Sequence, residues 1–266
     1  MLKPASKWFD DTVLDLRRQF RWSFLPPLMV YFAAGISGLV GIVGTFFVKE
    51  YLGLSAAFLA GLAFWAGIPW ALKMPLGHLV DIIWRWKAVL VYMGAALIAI
   101  SLLIMYALIS FPLQMTTIMA IEAWYVLSAL LAPCGYVLQD AVADAMSVEA
   151  VPRHDADGHL LDDDTAKAMH TTMQTLGRIA LIGGLVAVAF VNIYMFAGIE
   201  GLDQSAKAEI YAKVYLIGFC VPAVSISGVL LATLLRLQHK RRLQQAGLTS
   251  EEIAGRLDRP GEPTQP

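Results

Sequence analysis

The chain has 266 residues, 58% of them hydrophobic and 15% charged, with a net charge of −1 and a mean hydropathy of +0.62. Soluble domains carry about 25% charged residues, so this composition excludes one. It equally excludes a disordered chain, a disulfide scaffold and a nucleic-acid binder with a basic face. What remains is an all-α, polytopic membrane protein.

In chain order, residues 1–23 read as an amphipathic segment. Phe9, Val13, Leu16 and Phe20 recur at helical spacing, while Asp10, Asp11, Arg17 and Arg18 fill the remaining surface. Such a helix lies in the membrane interface. Residues 24–236 form the transmembrane domain. A helix crossing the ~30 Å hydrocarbon core needs about 20 apolar residues. Six segments qualify: Pro26–Val48, Ala56–Val80, Lys87–Ser110, Thr117–Gln139, Thr171–Phe196 and Val214–Leu235. Residues 237–266 are a polar tail, with a capping-box signal at Thr249 and Glu252.

The cations set the expected orientation. With both termini inside, fifteen Lys and Arg residues fall on inside segments and three on outside loops. The positive-inside rule then places both ends in the cytoplasm, and the expected location is the inner membrane. His239–Arg242 forms a basic cluster suited to anionic headgroups of the lipid bilayer.

Ionisable groups inside spans are expensive and point to function. Lys73 stands eight residues before Asp81, about 12 Å above the inner boundary at 1.5 Å per residue. Arg178 is seven residues past Thr171, hence at about 10 Å. Asp140 and Asp144 end the fourth span, four apart and so on one helix face. Glu149 follows on the cytoplasmic side, and Glu122 near the outer end reads as interfacial. Lys73 or Arg178 can pair with Asp81, Asp140 or Asp144 and tie helices together. Alternatively, the two cations form a positive wall for an anionic solute, with the carboxylates as gate latches or proton carriers. Pro69 and Pro75 bracket Lys73 and are expected to loosen the second helix, and Pro222 the sixth. Gly35, Gly38, Gly41 and Gly44 suggest close helix packing along the first span.

Two stretches carry a resemblance. Pro69-Trp70-Ala71-Leu72-Lys73, with Gly77 and Asp81 downstream, resembles the Pro-Trp-x-x-Lys…Gly-x-x-x-Asp signature of the folate–biopterin transporter family, within the major facilitator superfamily. Asp81, Arg85 and Lys87 look like a reduced form of that superfamily's loop between helices two and three. Asp140-Ala141-Val142-Ala143-Asp144, continuing to Glu149, is similar to the family's segment ending helix four. Gln174, Arg178, Gly183 and Gly184 resemble its fifth helix. Met74 intervenes between Lys73 and Pro75, where the family has proline directly, and Ile82 follows Asp81.

The resemblance implies one six-helix half of a major-facilitator-like fold, made of inverted three-helix repeats. It also implies transport of a small, anionic organic solute such as a pterin or folate-like compound by alternating access. Lys73, Arg178, Trp70 and Gln174 are then the candidates for solute or counter-charge contact. Gly77, Asp81, Arg85, Asp140, Asp144 and Glu149 are candidates for the cytoplasmic gate. The expected partner is a second copy of the chain or a second six-helix half.

Other chemistry fits less well. Asp140-x-x-x-Asp144 shares its spacing with Mg²⁺-binding motifs of membrane transferases, which need further Asp pairs. Residues 153–164 approach a calcium loop, but Arg153 stands where the first carboxylate belongs. No catalytic residue, metal or cofactor is assigned, and no enzyme activity is expected. The reading from another class is a non-transporting assembly factor or scaffold, or a truncated transporter fragment.

Overall fold

The computed structural model describes residues 20–47, 53–83, 86–152, 161–249 and 252–253. Most of the amphipathic lead-in, Arg85, most of the calcium-like loop and the Pro-rich end lie outside them. Every described element is helical. In order they are α1 (Leu25–Ile36), α2 (Gly41–Phe47), α3 (Ala56–Ala71), α4 (Lys73–Ile82), α5 (Lys87–Ser110), α6 (Pro112–Ile118), α7 (Ile121–Glu149), α8 (Asp163–Phe196), α9 (Gln204–Gly218) and α10 (Cys220–Gln245). Grouped by their short breaks, they make six segments long and apolar enough to cross a membrane.

Local chemistry explains where these helices start and break. Pro26 and Pro27 open α1, where a missing N–H removes no helical bond. Ser55 caps α3 by accepting from the Phe58 amide at 3.2 Å. Asp162 caps α8 through the Thr165 amide at 3.0 Å, and Asp163 and Asp164 follow at the positive end of the helix dipole. The second span breaks at Leu72, as the flanking prolines lead one to expect. Pro75 has no N–H to give the Ala71 carbonyl, so the ladder cannot run through. The same logic separates α9 from α10 at Phe219, because Pro222 cannot donate to Gly218. Beyond α10, Thr249 and Glu252 make the capping box: the Thr249 amide donates to Glu252 Oε2 at 2.7 Å, and the Glu252 amide to Thr249 Oγ1 at 3.3 Å.

Three expected spans change their bounds. The fourth span begins at Ile121, not Thr117, because Thr117 belongs to the separate helix α6. It runs on to Glu149, so Asp140 and Asp144 lie inside the helix rather than at its end. The fifth and sixth spans start earlier than predicted, at Asp163 and Gln204, since capping and polar helical residues extend them beyond the apolar stretch.

The bundle is built around α1, α5 and α7. α5 lies along α7, α1 lies along α8 and α10, and α9 packs on α5. α3 and α4 lean chiefly on α7, and α8 chiefly on α1. The largest buried cluster joins Ile36, Leu39 and Val43 to Ile98, Leu102, Leu108 and Tyr215. Two smaller clusters gather around Phe24, Val30, Tyr31 and Met173, and around Val80, Val91, Val142 and Val229.

Two seams depend on glycine. A Cβ on Gly135 would stand 2.5 Å from the Gly94 carbonyl oxygen, and one on Gly35 would stand 2.2 Å from that of Leu181. Both separations are far inside contact distance, so α5–α7 and α1–α8 approach backbone to backbone. The stripe in the first span is only partly a packing surface. Gly35 meets α8 and Gly44 lies near Tyr215, but a Cβ at Gly38 or Gly41 would meet nothing within 4 Å. Every third residue drifts by about 60° around an α-helix, and a 3₁₀ turn at Ser37–Val40 interrupts the row.

Candidate functional site

Three helices bring one polar cluster together. Asp140 and Asp144 share a face of α7, and the continuous helix past Pro133 keeps them one turn apart. The break at Leu72 makes Lys73 the first residue of α4, next to that face. Lys73 Nζ lies 2.5 Å from Asp140 Oδ2 and 2.9 Å from Asp144 Oδ2. From α1, the Tyr31 hydroxyl donates to Asp144 Oδ1 at 2.7 Å. Tyr31 is itself set by α8, where Gly177 leaves room for its ring: a Cβ there would come within 3.0 Å of it.

The cluster is graded in exposure. The Asp140 side chain is 12% exposed, Lys73 36% and Asp144 49%. Asp140 is therefore the buried anchor, and Asp144 the open member. Formal charges are one cation against two carboxylates, so the group carries a net negative charge. Lysine has three N–H donors in no fixed geometry and can serve both carboxylates or release one. A polar extension reaches α8, with Ser147 Oγ donating to the Asp144 carbonyl at 2.7 Å and Gln174 Nε2 to Ser147 Oγ at 3.4 Å.

The remaining predicted residues are distributed differently. Trp70, one turn before Lys73, is 46% exposed. Arg178 is exposed on α8, one turn beyond Gln174, and no ion pair joins it to another described residue. Gly77 has open space beside it. Asp81 is exposed near the end of α4, eight residues or about 12 Å along the helix from Lys73, and is not part of the cluster. Arg85 lies outside the described residues. Glu149 pairs instead with Lys87, joining the end of α7 to the start of α5.

Sequence reasoning missed several partners. Tyr31 sits in an apolar run, and only its hydroxyl distinguishes it from core. Ser147 is a turn beyond Asp144 in the motif already singled out. Gln139 is buried, accepting from Ser225 Oγ at 2.9 Å and reaching the Val91 carbonyl at 3.4 Å, so one amide links α7, α10 and α5. Its position directly before Asp140 was the available signal. Among the described residues no group of three or more His, Cys, Asp or Glu side chains is placed to hold a metal ion.

Comparison with known proteins finds a partial similarity. The chain is 36% identical over 78 residues to a folate-biopterin transporter of Synechocystis sp.. The match covers 29% of this chain and 16% of the relative. No family profile matches, and no solved structure matches. Six apolar helices and a transporter-like relationship over that stretch make this chain a multi-pass membrane protein.

Proposed function

We propose that this protein moves a small anionic organic solute, of the pterin or folate kind, across the inner membrane by alternating access, with both termini in the cytoplasm. The observation that carries the reading is the Lys73 ammonium held between Asp140 and Asp144 inside a span, with Asp144 half exposed. A charge at that depth is costly unless paired. A lysine shared between two carboxylates can exchange one of them for an incoming carboxylate-bearing solute while keeping the other. Asp144, turned back toward the Tyr31 hydroxyl, then takes up the freed bond or a proton. Trp70 supplies an aromatic face one turn away, and Gln174 and Arg178 supply donors from α8. Asp81 and the Lys87–Glu149 pair sit toward the cytoplasmic end, where a gate must open and close. The partial similarity to a folate-biopterin transporter supports the same class.

The test is uptake of radiolabelled biopterin and folate into proteoliposomes holding the purified full chain. Lys73→Ala and Arg178→Ala are expected to lower uptake by about tenfold or more, equivalent to ~1.4 kcal/mol or above. Lys73→Arg keeps the charge and should retain part of it. Equal uptake by the two alanine variants and the parent would overturn the anion-contact reading.

A further inference from the structure

We propose that the end of α10 is a binding site for the phosphate headgroups of anionic phospholipids, with Lys240 and Arg241 as its contacts. The height of that end relative to the membrane follows from two neighbouring helices. A Cβ on Gly218 would stand 3.2 Å from Val40 and 3.1 Å from Leu102, and one on Gly228 would stand 2.9 Å from the Pro26 carbonyl oxygen. Val229 shares a buried cluster with Val91. The sixth span therefore runs antiparallel to both α1 and α5. Trp22 lies four residues before Pro26, level with Ala232, and Trp86 five residues before Val91, level with Leu234. The two tryptophans are 73% and 64% exposed. Exposed tryptophan marks the boundary between acyl chains and headgroups. Two separate helices thus set that boundary at the same height on α10.

What α10 presents changes across that height. Leu230, Leu234 and Leu237 are 50%, 56% and 49% exposed, at spacings of four and three, and form one stripe toward the acyl chains. Lys240 and Arg241 are exposed three and four residues past Leu237, so they continue the same stripe. Their Cα atoms stand about 9 and 10 Å beyond Leu234 at 1.5 Å per residue. Helical side chains tilt toward the helix N-terminus, which for α10 is back toward the membrane. The tilt returns both charged heads to the headgroup layer, about 5–7 Å thick. Arg242 adds a third positive charge beside them, and α10 contains no Asp or Glu. The helix continues to Gln245 before Gly247, at φ 82°, turns the chain. The cations are therefore held at a fixed height by a rigid helix. A free phosphate satisfies the cations alone, whereas a phospholipid also lays its chains along the leucine stripe.

The inference rests on the geometry of the spans and not on transport. The full chain, purified in a mild detergent, is offered equal amounts of phosphatidylglycerol and phosphatidylcholine, and native mass spectrometry counts the lipid retained. The parent is expected to favour phosphatidylglycerol by about tenfold. The combined variant Lys240→Gln, Arg241→Gln and Arg242→Gln should reduce that preference by about fivefold or more. Lys207→Gln, near the start of α9 at the other end of the same span, should leave it unchanged. Two measurements on the parent stand whether or not the triple variant folds. Raising ammonium acetate from about 0.1 M to about 0.5 M should remove most of the preference, because exposed charges are screened. Inorganic phosphate in excess should not displace the lipid. Equal retention of the two lipids by the parent, or the parent's preference in a folded triple variant, would overturn the proposal. So would a preference indifferent to salt, or displacement by inorganic phosphate, which would make the ligand a soluble anion. Asp162, Asp163 and Asp164 at the start of α8 are the acidic segment of this chain that could cover the site instead. Greater phosphatidylglycerol retention on replacing all three by Asn would show that they do, and would equally overturn it.

Discussion

Toward α5, helix α7 presents Gly135 and Ser128; toward α4 and α1 it presents Asp140 and Asp144. The first side is closed. Gly94 and Gly135 let the backbones touch, and Ser101 and Ser128 exchange hydrogen bonds at 2.9 and 3.0 Å, fully buried. Nothing there is free to rearrange without losing contact. The second side is held by charge and is partly open, and its lysine has a choice of partners. One helix thus combines a fixed seam with an exchangeable one, and the difference lies in side-chain size and charge rather than in backbone geometry.

The comparison can be broken most severely on the closed side. Gly135→Leu should drive a side chain into the Gly94 carbonyl and Ile98, costing about 3 kcal/mol, the upper end of ordinary overpacking. Thermal unfolding in detergent measures it, and a loss under ~1 kcal/mol would mean that α5 and α7 can part freely. On the open side the effect should be smaller. Tyr31→Phe removes one hydroxyl donor from Asp144 but leaves Lys73 in place, for about 1 to 1.5 kcal/mol of stability. On the proposed transport reading, solute affinity should change more than the melting temperature, and the reverse ranking would make Tyr31 a packing residue.

Much of this contrast was open to the sequence, and some was not. Six apolar stretches declare themselves through hydropathy, because a span must be apolar over a fixed length. The break before Lys73 follows from Pro75, whose missing N–H acts locally. Which carboxylate Lys73 meets depends instead on how α4 is rotated against α7. No local signal carries that angle, so Asp81 stood as an equal candidate beside Asp140 and Asp144. Tyr31 was hidden for a related reason: a lone aromatic in an apolar run is core until a neighbouring helix brings a carboxylate to its hydroxyl. The glycine row misled because identity at every third residue is not identity of face.

The smallest expected effect lies away from both seams. The Thr165 hydrogen bonds hold the Asp162 carboxyl below the usual carboxylate range. A lowered folded value means that the cap contributes fully above the ordinary pKa of 3.8 and is lost as pH falls through the folded one. Protection of the Thr165 amide, taken relative to its intrinsic exchange rate, should therefore fall only below about pH 3.8, and Asp162→Asn should flatten that dependence.

The pairing of α1 with α8 and α10 has a consequence for the timing of biogenesis. Gly35 meets Gly184, 149 residues later, and Pro26 meets Gly228, 202 residues later. At synthesis rates of about 5–20 residues per second, α1 waits roughly 10–40 s for the helices that cover it. Over that interval, what shelters its small-residue surface is lipid, the insertion machinery or a chaperone. The helix made early is among the last to find its place.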